Sequence, residues 1–400
     1  MGKIKKVGCL VVLLGLLNSV AFAKIESLIN INLDGGNSIY EGETSSLSGD
    51  GGIDFIPAIN FSNNTALLPY FGASYQGVQQ LQQLAEGGYL YQEQLDGVFS
   101  LKLLNKLDSG YVIKPNMGYK IELLKEAKDE KWFNGLYDFH RVNAGVEVEK
   151  KSESSCLNMG YNAYWFNFPN YESLASAVGF YQPGKDLFDC LINEVYVKRT
   201  SPLFKKLSIE YGNNFAYKYF IDQKKTVETT GYSSTHRYDL TDDFDLNLTY
   251  PLPEFKLWKV RMKPLTGINY EFTYNYSNQN YWEERTLVFI KGFYNYVENG
   301  VGPSLVLFFP EAISLSASYD FSLRNYTNRP IQTVSGIYGE DKINQTKQTL
   351  SVRTDFPILG GFTGYALFDW QKVSSNMKYE QFYKYNYTSG YYLAGINYKY

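Results

Sequence analysis

Histidine and cysteine are nearly absent from this 400-residue chain, with two and three copies respectively. Such scarcity leaves no ligand spacing for a zinc site and too few thiols for a fold held by disulfides. Charge of one sign is missing too. The 38 Lys and Arg stand against 41 Asp and Glu, so there is no basic excess to bind nucleic acid. Long apolar runs are also lacking. After Lys24 the longest is the five residues Leu305 to Phe309, where a membrane-spanning helix needs about 20. What the chain does have is aromatic side chains, at 17% of residues, including 37 Tyr and 26 Phe. With low net charge, that content argues against a disordered chain.

The N-terminus reads as an export signal. Lys3, Lys5 and Lys6 precede an apolar core from Val7 to Val20, and Ala21-Phe22-Ala23 supplies the small-x-small cleavage pattern. Cys9 precedes the core instead of closing it, unlike a lipoprotein cysteine. The expected mature chain, residues 24–400, starts at Lys24 and keeps only Cys156 and Cys190.

Beyond residue 24 the recurring pattern is alternation with period two, the signature of strands whose faces meet different environments. Leu315, Ala317, Tyr319, Phe321 and Leu323 share one face, against Ser316, Ser318, Asp320, Ser322 and Arg324. Val142 to Val148 and Ile268 to Tyr274 split the same way. Sixteen strands are expected, within a range of 14 to 18, near 25–34, 47–61, 67–78, 91–104, 110–124, 137–150, 155–166 and 188–200, then 206–220, 237–250, 258–275, 294–309, 312–326, 344–356, 361–375 and 388–400. The connections alternate between long and short. Long ones are expected near 35–46, 79–90, 125–136, 167–187, 221–236, 276–293, 327–343 and 376–387, the stretch 276–293 having room for a further strand. Short ones fall between, several marked by Pro202, Pro251, Pro310 or Pro357.

A soluble β-sandwich has no reason to keep every second connection long, whereas a transmembrane barrel does. Hydrocarbon offers no hydrogen-bond partner, so strands cross it only in a closed sheet. Tyrosine and tryptophan favour the two membrane boundaries, which accounts for the aromatic content. The expected fold is therefore all-β, a transmembrane antiparallel up-and-down β-barrel in one domain.

The ending Tyr392-x-Ala394-x-Ile396-x-Tyr398-x-Tyr400 resembles the C-terminal signature of bacterial outer-membrane β-barrels, with Tyr400 where the family usually carries Phe. The resemblance implies an outer-membrane location, contact with its lipids, and insertion by the barrel-assembly machinery, with Tyr392, Ile396, Tyr398 and Tyr400 as the assembly signal. A second resemblance covers roughly 312–400. Arg324-Asn325-Tyr326, Arg329, Ser374-Ser375-Asn376, Tyr379 and Tyr385-Asn386-Tyr387 are similar to the end of surface lipoprotein assembly modifier barrels, without the helical-repeat domain expected before such a barrel.

Barrel enzymes of the phospholipase and protease kinds need a histidine suited to proton transfer. By alternation His140 and His236 both fall on the outward, apolar face, and a dyad of His236 with Asp239, Asp242 or Asp243 is disfavoured. No enzyme and no cofactor is expected. Asp34-Gly-Gly-Asn37 and Ser48 to Gly52 lack the acids of a calcium loop and read as outer loop and the start of a strand. Cys156 and Cys190 fall at opposite ends of one hairpin, so free thiols are expected. The inward face is expected to carry Lys102, Lys120, Glu122, Arg141, Glu147, Glu149, Glu194, Lys198, Glu210, Glu271, Asp320, Arg324, Arg353 and Asp369. These charges either pair across strands or line a water-filled passage, and with both signs present no strong ion selectivity is indicated. The connection 167–187 is unusually apolar (Leu174, Ala175, Ala177, Val178). It either folds inward as a constriction or lies on the rim. The leading expectation is a passive channel for small hydrophilic solutes. Its rivals are a barrel for protein or polymer export and a structural or adhesive barrel.

Overall fold

The computed structural model describes residues 24–400 apart from 42, 45–46, 78–81, 84–88, 91–92, 126–129, 173–183, 205, 229–230, 258–259, 284–286 and 382. The expected export signal, residues 1–23, lies outside the described residues. Sixteen antiparallel strands form one closed sheet. They are β1 (Lys24–Tyr40), β2 (Ser48–Asn60), β3 (Thr65–Gln76), β4 (Glu93–Lys106), β5 (Tyr111–Lys125), β6 (Phe139–Lys151), β7 (Cys156–Asn167) and β8 (Cys190–Pro202). The second half comprises β9 (Ser208–Val227), β10 (Gly231–Pro251), β11 (Val260–Ser277), β12 (Tyr296–Phe308), β13 (Ser314–Gln332), β14 (Tyr338–Pro357), β15 (Phe362–Ser375) and β16 (Tyr387–Lys399). Each strand pairs with the next, and β1 pairs with both β2 (Lys24↔Asn60 to Gly36↔Ser48) and β16 (Asn30↔Lys399 to Tyr40↔Ser389), which closes the wall.

Alternation sets the two faces. Val195 and Ile268 are 55% and 52% exposed, and Phe55, Phe71, Phe99, Met117, Val142 and Tyr392 are exposed beside them on the outer face. Tyr217, Tyr238 and Tyr276 ring its long-loop end, while Tyr250 and Tyr398 stand near its short-turn end. On the inner face ion pairs and hydrogen bonds run from strand to strand. This outside-greasy, inside-polar order inverts a soluble core.

Three expected long connections are shorter than their sequence suggests. β9 and β10 continue to Val227 and from Gly231, through a register shift between Tyr219 and Lys224. β13 and β14 likewise continue to Gln332 and from Tyr338, past a shift between Asn325 and Pro330. Above the membrane both faces of a hairpin meet water or loops, so the apolar alternation that marks a strand fades while pairing persists. β1 also runs on to Tyr40, placing Asp34, Gly35, Gly36 and Asn37 inside a strand and not in a loop. A Cβ on Gly36 would collide with the Tyr392 carbonyl and Leu393, so glycine is what lets β1 lie this close to β16. The segment 276–293 carries a small separate hairpin, Tyr281–Glu283 against Val288–Ile290.

Candidate functional site: the inner wall

Register places all fourteen expected charges on the inner face, and it joins some of them through residues the alternation also offered. Lys120 bridges Glu122 (2.6 Å) and Asp96 (3.3 Å). Lys114 binds both Glu147 (2.5 Å) and Glu149 (2.7 Å), and Lys151 adds a contact to Glu149 (3.2 Å). Lys102 acts on Glu147 through its charge. Lys198 pairs with Glu210 at 2.7 Å, Arg324 with Glu298 at 2.6 Å and Arg353 with Asp355 at 2.7 Å. Glu194 makes no ion pair among the described residues and accepts from Asn162 (3.1 Å), Tyr164 (3.3 Å) and Asn214 (3.4 Å). Arg141 lies over the rings of Tyr164 and Phe166. Asp320 accepts from Asn269 at 3.2 Å, Glu271 does so at 3.4 Å, and Asp369 is buried between Ser351 and Tyr391.

Glycines make several of these cross-wall bonds feasible. Tyr196 Oη donates to Glu147 (2.8 Å) across Gly160, which pairs with both residues. At the seam Tyr365 Oη donates to Asp34 across Gly395, and Arg353 lies 4.2 Å from the Tyr365 ring. A side chain on either glycine would occupy the space of that tyrosine. Asp96, Lys114, Glu298 and Asp355 were not singled out from sequence, and Asp243 only as a disfavoured partner of His236, although all five sit in step with residues that were.

One stretch of wall is hollowed. Asp243, Glu271, Glu298, Thr273, Tyr296 and Arg324 line a niche of about 240 Å³. Its Glu298 is held by Arg324 and by Ser322 Oγ (2.9 Å), and Asp243 accepts from Thr273 (2.7 Å).

At the long-loop end the inner wall is apolar. Tyr171, Leu187 and Phe188, at both ends of the connection 167–187, pack on the inward residues Phe166, Cys190, Ile192 and Phe220. Both ends of this connection therefore turn into the barrel. Its apolar stretch Leu174 to Val178 lies outside the described residues. Asp138 and Asp189 knot the same end. Asp138 accepts from Leu124 N (2.7 Å), Gly135 N (3.1 Å) and Asn170 (3.2 Å), and Asp189 from Phe168 N (2.7 Å) and Asn167 (2.8 Å). Burial pushes both carboxyls above the ordinary aspartate range. Across the barrel, Ile343, Met377 and Tyr379 form a second apolar patch, and Arg329 lies 4.2 Å from the Phe293 ring and donates to Tyr385 Oη (2.5 Å).

The histidines and cysteines play other parts. His140 Nδ1 bonds Tyr119 Oη at 2.6 Å on the outer face. His236 stacks on Tyr219 and contacts the Phe220 carbonyl at 3.3 Å. Asp242 and Asp243 point to opposite sides of the wall. Cys156 and Cys190 are free. Cys156 pairs with Thr200, ten positions along β8 from Cys190, or roughly 33 Å at strand rise.

No family model matches this chain, and no curated protein does either. Solved structures do. A loop-deleted form of OmpT, an outer membrane protein of Vibrio cholerae, superposes with a TM-score of 0.50 at 11% identity, covering 94% of this chain and 99% of that one. The fold is that of a bacterial outer-membrane β-barrel. OccAB3 of Acinetobacter baumannii matches with TM-score 0.47 at 8% identity, over 94% of this chain and all of that one (100%). CdiB of Acinetobacter baumannii matches with TM-score 0.47 at 11% identity, over 96% of this chain but 67% of its own length. At 11% identity the likeness to OmpT shows the fold alone.

Proposed function

We propose that this outer-membrane barrel is a passive diffusion channel for small hydrophilic solutes. The observation that carries the reading is the inner face itself. Acids and bases both line it on β4, β5, β6, β8, β9, β13 and β14 of a sixteen-stranded wall, and a closed sheet of that size is too wide for its own side chains to fill. Paired charges such as Lys114 with Glu147 and Glu149 keep water in the passage without favouring one sign strongly. Insertion through the barrel-assembly machinery, guided by Tyr392, Ile396, Tyr398 and Tyr400, completes the proposal. Of these, Tyr392 and Ile396 are exposed on the outer face. Purified protein added to planar bilayers is expected to give stepwise, voltage-independent conductance increments. A folded protein that inserts and gives no steps rules the channel out.

A further inference from the structure

The outer face holds one feature that a lipid environment does not explain. Between the rings of tyrosines, Asp242 on β10 is the one outward-facing carboxylate among the described residues. The other outward candidate, Glu93 on β4, sits at the rim against Lys125 (3.2 Å). Asp242 accepts from Asn213 on β9 at 2.8 Å. Two strands back, Tyr161 on β7 donates to Asn193 on β8 at 2.6 Å. Four polar side chains on adjacent strands thus stand in a wall whose neighbours are Val195, Phe215, Leu240 and Phe244. The second oxygen of Asp242 and the amide nitrogen of Asn193 have no hydrogen-bond partner among the described residues. An outward charge at this depth is destabilising in lipid, and polar side chains between membrane segments act as glue.

We infer that this wall is a contact between two copies of the chain, related by a two-fold axis along the membrane normal. The register supplies the argument. Rows of paired residues climb from the short-turn end to the long-loop end, as in Leu157↔Arg199↔Tyr211↔Leu246↔Tyr270 through to Lys372↔Thr388. Asn193 pairs with Tyr217, which pairs with Leu240, so Asp242 lies two strands on and two residues down from Asn193. Asn213 stands in the same relation to Tyr161, by way of Val195 and Phe215. With strands about 4.8 Å apart, a rise of about 3.4 Å per residue and a tilt of about 40°, two strands across raise a residue about 6 Å and two residues down lower it about 5 Å. Each pair is therefore level, its members about 12 Å apart around the wall. A vertical two-fold through their common midline sets Asp242 of one copy against Asn193 of the other, and Asn213 against Tyr161, twice each. An acceptor lacking a donor meets a donor lacking an acceptor, which is the self-complementarity that an isologous interface demands. The inference concerns the outer face and stands whether or not the lumen conducts.

Site-directed crosslinking in lipid vesicles tests it. Phe215→Cys lies beside the proposed axis and Leu350→Cys lies on β14, away from it. The native thiols do not interfere, since Cys156 and Cys190 both belong to the inner face. Oxidation is expected to give a disulfide dimer with Phe215→Cys and at least ten-fold less with Leu350→Cys. Asp242→Leu, which suits lipid and should fold, is expected to lower the dimeric fraction of the otherwise native chain at least ten-fold, read by native mass spectrometry from the same vesicles. Native chains that stay monomeric at every protein-to-lipid ratio overturn the inference. So does equal crosslinking from both cysteines, or a dimer that Asp242→Leu leaves intact.

Discussion

Lys114 holds two carboxylates at once, Glu147 at 2.5 Å and Glu149 at 2.7 Å, and among the described residues is the one cation that both share in an ion pair. Lys114→Met removes one positive charge from between them, leaving Glu149 its contact with Lys151. In a salt gradient across a planar bilayer, the reversal potential is expected to shift toward cations, with a permeability ratio changed roughly two-fold. An unchanged ratio would mean that ions pass elsewhere. The buried aspartates at the long-loop end carry a pH dependence of definite sign. Asp138 and Asp189 have carboxyls raised by burial, so the folded state holds their protons more tightly than the unfolded one. Stability from this source is fully present below the ordinary aspartate value of about 3.9 and is lost as pH rises through the raised values. Proteolytic nicking near 126–136 and 167–189 is therefore expected to increase across that window, and Asp138→Asn is expected to weaken the dependence. These residue-level roles were partly legible in sequence. Alternation put Lys120, Glu147 and Arg353 on the right face, but it does not say which acid meets which base, because pairing depends on the stagger between strands.

The stagger is fixed by elements, and the seam shows how. β1 and β16 close the sheet, and Asp34 on β1 reaches Tyr365 on β15 over Gly395, which belongs to the strand between them. Gly395→Val would fill the space of the tyrosine and of Asp34 Cβ. Its folded yield, read as the fraction that keeps heat-dependent gel mobility, is expected to fall several-fold. Gly110→Ala, in a turn with nothing within 4 Å of the new methyl group, costs only the strain of its positive φ, about 1 kcal/mol, and is expected to leave the yield nearly intact. The same elements explain where sequence reading stopped. A strand inside the membrane announces itself, since one face must be apolar. The upper part of β9 has no such duty. It is held instead by amides, with Gln279 accepting from Thr226 N (2.8 Å) and Asn280 donating to Thr226 O (2.7 Å). Contacts more than fifty residues apart leave no period in the local sequence, so the segment read as loop. Gly35 and Gly36 misled in the same direction, looking like a turn inside a strand where close packing needs Gly36.

For the whole molecule, the wall is wide and its long-loop end is narrowed by apolar packing that begins in the connection 167–187. Tyr171 stacks on Phe188 with centroids 3.9 Å apart, and Phe188 is 1% exposed. The apolar character of that connection was visible in sequence. The direction in which it turns was not, because its partners Phe166, Cys190, Ile192 and Phe220 come from three different strands. Phe188→Ala removes the centre of the cluster at a cost of about 3–5 kcal/mol. The loss falls on the loop base alone, because the strand pairing below it runs through backbone bonds that the substitution does not touch. Folded yield and heat stability of the wall are therefore expected to change little, while the connection loses its anchor on the inner face. If that anchored segment limits passage, single-channel conductance in planar bilayers is expected to rise and to become noisier. Phe188→Leu, which keeps most of the packing, is expected to stay close to the native value. A Phe188→Ala channel with native conductance and native noise would place the narrowest point elsewhere, with the second patch around Ile343, Met377 and Tyr379 the next to be opened by the same kind of substitution.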